Sequence, residues 1–192
     1  IEGFRFFFTN RLLTIILGMT IMVEAFGYGA VSLLPVFAGE AVLGVGPGGL
    51  GVMNGALSIG AAFGALYLGA SSESMSMNLK LLVSFLFCGL FTVAYSQSAV
   101  FLLTVGLLTG FGLAEGMFTI LVVLLLQQNV PNEMRGRVMG AWTFCIGTGP
   151  LGAMSIGYLA EIIGVQYAVG FSGALIVLAT AVVTIAVPRL RK

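Results

Sequence analysis

Two acids in this chain sit where water is scarce. Glu24 interrupts the apolar run "LLTIILGMTIMVEAFGYGAV", and Glu115 interrupts "FLLTVGLLTGFGLAEGMFTILVVLLLQQ". An ionised acid in hydrocarbon costs about 2.5–3.5 kcal/mol on insertion-type scales, so such a residue faces a cavity or a partner rather than lipid. No Lys or Arg lies at a similar depth in the sequence, and histidine is absent altogether. A carboxyl group in that setting is suited to exchanging a proton, or to contacting a cationic substrate. The competing role is a permanently protonated Glu that hydrogen-bonds a neighbouring helix. Other polar residues keep the acids company. Thr20, Glu24, Tyr28 and Ser32 are spaced i, i+4, i+8 and i+12, which makes a slowly drifting polar stripe. Thr104, Glu115 and Thr119 fall within about 60° of one another around a helix at 100° per residue. These stripes are expected to line an aqueous pathway. Asn54 and Ser58 either reach the same cavity or join helices.

Elements able to hold such stripes follow from composition. Only 8% of the residues are charged and 59% are hydrophobic, against about 25% charged in a soluble domain. Most of this surface must face lipid. A helix crosses a bilayer with about 20 apolar residues, and six segments qualify. They are Leu12–Phe37, Gly49–Ala70, Leu79–Ser96, Val100–Gln127, Val138–Ala160 and Tyr167–Val187. The breaks between them, "GEAVLGVGPGG", "SSESMSMN", "YSQS", "NVPNEMRGR" and "EIIGVQ", carry turn residues. With alternating spans, all eight basic residues fall on one side: Arg5, Arg11, Lys80, Arg135, Arg137, Arg189, Arg191 and Lys192. Glu40 and Glu161 fall on the other. The positive-inside rule then puts both termini in the cytoplasm.

The fold class expected is therefore all-α integral membrane, with six transmembrane helices arranged as two inverted three-helix repeats. "GALYLGA" from Gly64 lies against "GAMSIGY" from Gly152, and "VMNGA" from Val52 against "VMGAW" from Val138. Glu24 and Glu115 precede those glycines by similar distances. The repeat units are about 1–97 and 98–192, and an odd number of spans per unit inverts one against the other, as in many secondary transporters. Glycines four apart, Gly51/Gly55 and Gly60/Gly64, give the second span a small-residue face for close helix packing. Cys88 and Cys145 read as small buried residues, not as a disulfide or metal pair.

The densest charge lies in "LLQQNVPNEMRGRVMG". Pro131 ends the fourth span, Gly136 is expected to allow a tight backbone path, and Arg135 and Arg137 can bond helix-end carbonyls or nearby acids. This stretch, with "GPLGAMSIGYLAEIIG", resembles the C-terminal half of the major facilitator superfamily, particularly bacterial drug, macrolide and siderophore exporters. There the fourth helix of the half ends in Gln, Val-Pro, an acid and Arg-Gly-Arg-Val, here Gln127, Val130, Pro131, Glu133, Arg135, Gly136, Arg137 and Val138. "IEGFRFFFTNRLLTIIL", "LLPVFAGEAVLGVGPGGLGVM" and the pair Ser172–Gly173 also fit. The resemblance implies that the six spans correspond to helices seven to twelve of a twelve-helix carrier, with the first and fourth lining its cavity. It implies alternating access, often driven by proton antiport. It also implies a gating or interdomain role for the cytoplasmic turn Gln127, Pro131, Glu133, Arg135, Gly136 and Arg137. Basic residues common at the turn between the second and third spans are reduced here to Lys80 beside the acid Glu73.

The expectation is a transporter of the bacterial inner membrane. It exports a small amphipathic molecule in exchange for protons, with Glu24, Glu115, Thr20, Tyr28, Ser32 and Thr119 as the coupling or cavity residues. An importer of a small nutrient is the first rival, and a non-transporting six-helix scaffold the second. No enzyme chemistry, metal or cofactor is expected, because histidine-dependent chemistry is closed to this chain. A net charge of +1 gives no reason to expect nucleic acid. The expected partners are the substrate, protons, the lipid bilayer, and either an N-terminal six-helix half outside this chain or a second copy.

Overall fold

A computed structural model describes residues 11–40, 42–70 and 76–186. Arg5, Glu73, Arg189, Arg191 and Lys192 lie outside the described residues. Within them the chain forms six helices long and apolar enough to cross a membrane. They are α1 (Arg11–Ala38), α2 (Gly46–Ala70), α3 (Met77–Ser96), α4 (Phe101–Gln128), α5 (Asn132–Ile163) and α6 (Val165–Ala186). No strand occurs among the described residues.

The expected spans hold, with one consequential change. The fifth helix starts at Asn132, not Val138, and runs to Ile163. The turn before it shrinks to Asn129–Pro131, because Pro131 has a φ of −57° and sits where a missing amide hydrogen costs nothing. The turn after it shrinks to Gly164, whose φ of +88° is a conformation that only glycine adopts freely. Gly136, expected in a tight turn, therefore lies within regular helix, and a Cβ there would meet nothing within 4 Å.

Two apolar clusters mark the two ends of the bundle. One gathers Leu13 and Ile16 of α1, Leu81 and Phe85 of α3, Leu121 and Leu125 of α4, Val138 of α5 and Ile176 of α6. The other gathers Leu34 and Phe37 of α1, Met53 of α2, Tyr95 of α3, Leu108 of α4 and Val169 of α6. At the first of these ends α1 meets α6, where an Arg11 guanidinium N–H donates to the Ala186 carbonyl at 2.8 Å.

Between the ends, backbone meets backbone. Gly60 and Gly64 of α2 lie on the Thr109 and Leu113 carbonyls of α4, while Gly112 and Gly116 of α4 lie on the Leu57 and Ala61 carbonyls of α2. On α1 and α5, Gly152 lies on the Ala25 carbonyl, and a Cβ on Gly29 would stand 3.0 Å from the carbonyl carbon of Gly152. In α3 and α6, Gly89 and Gly173 face each other in the same way. Small residues permit this approach, and it supplies the packing that holds helices together in lipid, where apolar burial gives little drive. Gly51 and Gly55 have nothing within 4 Å of a Cβ, so the small-residue face of α2 divides into a packed half and an open half.

Two helices are interrupted where they cross. Val23–Tyr28 of α1 winds as a π-helical turn, with the Gly29 amide bonded back to the Glu24 carbonyl. Helix α5 breaks at Gly147–Thr148, between Asn132–Ile146 and Gly149–Ile163. Pro150 has no N–H to bond four residues back, so the ladder cannot run through this point.

Candidate functional site

The two acids occupy different places. Glu115 is buried within α4 and accepts a hydrogen bond from Thr119 Oγ1 at 2.8 Å, one turn along the same helix. Tyr28 of α1 lines the same cleft as Glu115. The Tyr28 ring meets Phe111 edge-on, at 6.4 Å and 79°. Tyr28, Phe111 and Glu115 belong to the wall of a cleft of about 240 Å³ between α1, α2 and α4. Tyr28 and Val31 close it from α1; Asn54, Leu57, Ser58 and Ala61 from α2; Phe111, Gly112 and Glu115 from α4. Gly112 belongs to the interlocked α2–α4 crossing, so the cleft borders a contact of backbone on backbone.

Glu24 does not line this cleft. It lies half-buried on the π-helical turn, where a Cβ placed on Gly149 would come within 3.7 Å of its Oε2. Its carboxyl group is thus set against the break in α5. Neither acid meets a cation among the described residues, and no group of three metal-ligating side chains forms there.

The other stripe residues separate from the acids. Thr20 is buried and its hydroxyl donates to the Ile16 carbonyl at 3.0 Å. Ser32 donates to the Gly29 carbonyl at 2.6 Å. Both bond back to their own helix, as short hydroxyls do. Thr104 donates to Ser98 Oγ at 2.9 Å at the far end of α4. The i, i+4 spacing assumed 3.6 residues per turn throughout, and the π-helical turn carries more residues per turn than that. Of the residues named from the sequence, Tyr28, Glu115 and Thr119 come together, and Asn54 and Ser58 join them. The sequence reading missed Phe111, Leu57, the π-helical turn of α1 and the break in α5. Pro150 after "GTG" was the signal for the break in α5, whereas the π-helical turn left no comparable mark.

At the charged stretch, an Arg135 guanidinium N–H donates to the Gln127 carbonyl at 3.2 Å, closing the end of α4. Arg137 Nη1 approaches Met134 Sδ at 3.7 Å. Glu133 lies in the first turn of α5, where the helix dipole favours negative charge. These residues form the first turns of a helix rather than a loop. Cys88 and Cys145 are both free and buried.

The family described as Major Facilitator Superfamily matches residues 1–153. The chain is similar to the enterobactin exporter EntS of Citrobacter koseri, with 35% identity over 111 residues. It is similar also to the enterobactin exporter EntS of Salmonella typhimurium, with 36% identity over 115 residues. Each match takes in 57% of this chain and 27% of the relative, so the chain spans about a quarter of the length of the curated relatives it matches. No solved structure matches it. With six helices of membrane-crossing length, a cleft among three of them and a family match over most of its residues, this multi-pass membrane chain belongs to the Major Facilitator Superfamily.

Proposed function

We propose that the chain is the C-terminal six-helix half of a secondary active exporter in a bacterial inner membrane. It carries a small amphipathic molecule by alternating access, in exchange for protons. The observation that carries this reading is the cleft, where Glu115 lies between aromatic and amide-bearing walls, with Glu24 set at the neighbouring crossing of two interrupted helices. The relatives' name, enterobactin exporter, supports the outward direction.

The contacts also support an inverted repeat. Gly64 lies on Leu113, and Gly152 lies on Ala25. An offset of 88 residues carries Gly64 onto Gly152 and Ala25 onto Leu113, so one contact maps onto the other. Helices α1–α3 and α4–α6 are then the two units, and a second six-helix half completes the carrier. Placing Arg11, Lys80, Arg135 and Arg137 at one end makes that end cytoplasmic by the positive-inside rule.

The test is substrate efflux from vesicles of defined orientation, with an imposed pH gradient, in the transporter and in Glu24→Gln and Glu115→Gln. Loss of pH-driven efflux in at least one variant is expected. Full, still pH-driven activity in both would sink proton coupling through these acids. Uptake in place of efflux would reverse the direction.

A further inference from the structure

Two threonines of α4 direct their hydroxyl hydrogens differently. Thr109 donates to the carbonyl four residues back, that of Val105, at 2.9 Å. Thr20, Thr92 and Thr180 do the same on α1, α3 and α6, which is the ordinary habit of a short hydroxyl within a helix. Thr119 departs from it. Four residues back stands Glu115, and the Thr119 hydroxyl bonds its side chain rather than its carbonyl, donating to Oε1 at 2.8 Å.

Thr119 is not among the residues lining the cleft between α1, α2 and α4, whereas Glu115 is. The backbone that carries the acid is fixed on either side of it. Gly112 lies on the Leu57 carbonyl of α2, and Gly116 lies on the Ala61 carbonyl. With the main chain held there, the place of the carboxyl group is set by its own side-chain rotamers. The bond from Thr119 selects among them and draws Oε1 along α4, away from Phe111 at the other end of the same face.

We infer that Thr119 is a positioning residue for Glu115, holding Oε1 and leaving Oε2 as the oxygen that takes up and releases the proton. In the ionised form Thr119 donates to Oε1, and an arriving proton adds to Oε2. In the neutral form Oε1 is the carbonyl oxygen and still accepts from Thr119. The contact therefore survives protonation, and the carboxyl group keeps one place while its charge changes. The mid-span titratable side chains of the helices packed on α4 are Glu24 and Tyr28 of α1, Cys88 of α3 and Cys145 of α5, and α2 places none in the cleft. None of them is a cation that would compete with Thr119 for the carboxyl group. The inference rests on Glu115 being a proton carrier.

Its test uses the intact transporter, with Thr119→Val to remove the hydroxyl and Thr119→Ser to keep it. In vesicles with an imposed pH gradient, Thr119→Val is expected to slow efflux about tenfold or more, since a reacting group misplaced by about 1 Å can cost about a hundredfold. Thr119→Ser is expected to keep the parent's rate. Infrared difference spectra between acidic and neutral pH give a second readout, in the carboxyl C=O band that Glu115→Gln abolishes. That band should move to higher frequency in Thr119→Val, because Oε1 loses its hydrogen bond, and stay in place in Thr119→Ser. Thermal unfolding in nanodiscs checks each variant, and Thr119→Ala carries the same expectations should the valine variant fail to fold. Unchanged efflux, an unmoved band, or an equal loss in the valine and serine variants overturns the inference while Glu115 remains a proton carrier. Full pH-driven efflux in Glu115→Gln overturns both the inference and the coupling role of Glu115.

Discussion

Gly152 of α5 rests on the carbonyl of Ala25 in α1, so that the two helices cross with no side chain between them. A Cβ at position 152 would also lie against the Ala25 Cα. The crossing adjoins the π-helical turn of α1 and the break in α5. Backbone contact, two interrupted helices and the half-buried Glu24 therefore occupy one small region.

Gly152→Leu should not be accommodated, since what it strikes is backbone rather than the end of a flexible side chain. Overpacking a tight interior costs about 1–3 kcal/mol, and the effect here belongs at the upper end. Gly64→Leu should behave alike on the Leu113 carbonyl, while Gly55→Ala, with open space around it, should change little. Unfolding midpoints in mild detergent would rank the three. A Gly55→Ala variant as unstable as Gly152→Leu would contradict the packing described.

Pro150→Ala returns an amide hydrogen to the break in α5. The expected outcome is a stability equal to or above the parent's, because one more helical bond becomes available. Turnover should fall if the break works as a joint during transport. Unfolding and efflux measured on the same preparation separate these effects, and unchanged turnover would make the break purely structural.

Tyr28→Phe removes a hydroxyl from the wall of the cleft and keeps the ring against Phe111. Side-chain hydrogen bonds within membrane bundles average about 0.6 kcal/mol, so stability should barely move. The efflux rate should fall, because the cleft loses the hydroxyl that α1 contributes to its lining. An unaltered rate would leave the Tyr28 ring, not its hydroxyl, as what the cleft uses.

Arg135→Gln should cost about 0.3–1 kcal/mol, the value of a cation at a helix C-terminus, through the lost bond to the Gln127 carbonyl. Raising the salt concentration should shrink the difference between parent and variant. A loss of efflux far beyond this stability change would point to a gating role for Arg135 outside the contacts within this chain.

Composition and apolar run length determined the number of helices, because too few charges exist to cover 192 residues in water. Run length also identified Glu24 and Glu115, since an acid inside an apolar helix is costly wherever the helix points. The Arg-Gly-Arg stretch was recognisable as a family mark, although its secondary structure was misread. Pro131 signalled a stop, and the same residue serves equally well to start the next helix.

Which polar residues meet was decided by tertiary structure. The separation of Thr20 and Ser32 from Glu115, and the meeting of Tyr28 with Asn54 and Ser58 across helices, depend on rotations that regular periodicity does not encode. A single π-helical turn shifts the residues beyond it around the axis, and it carries no dependable sequence signature. The glycines were visible from the start. Only the crossing of α2 with α4, and of α1 with α5, determined which of them touch a neighbour's backbone and which face open space.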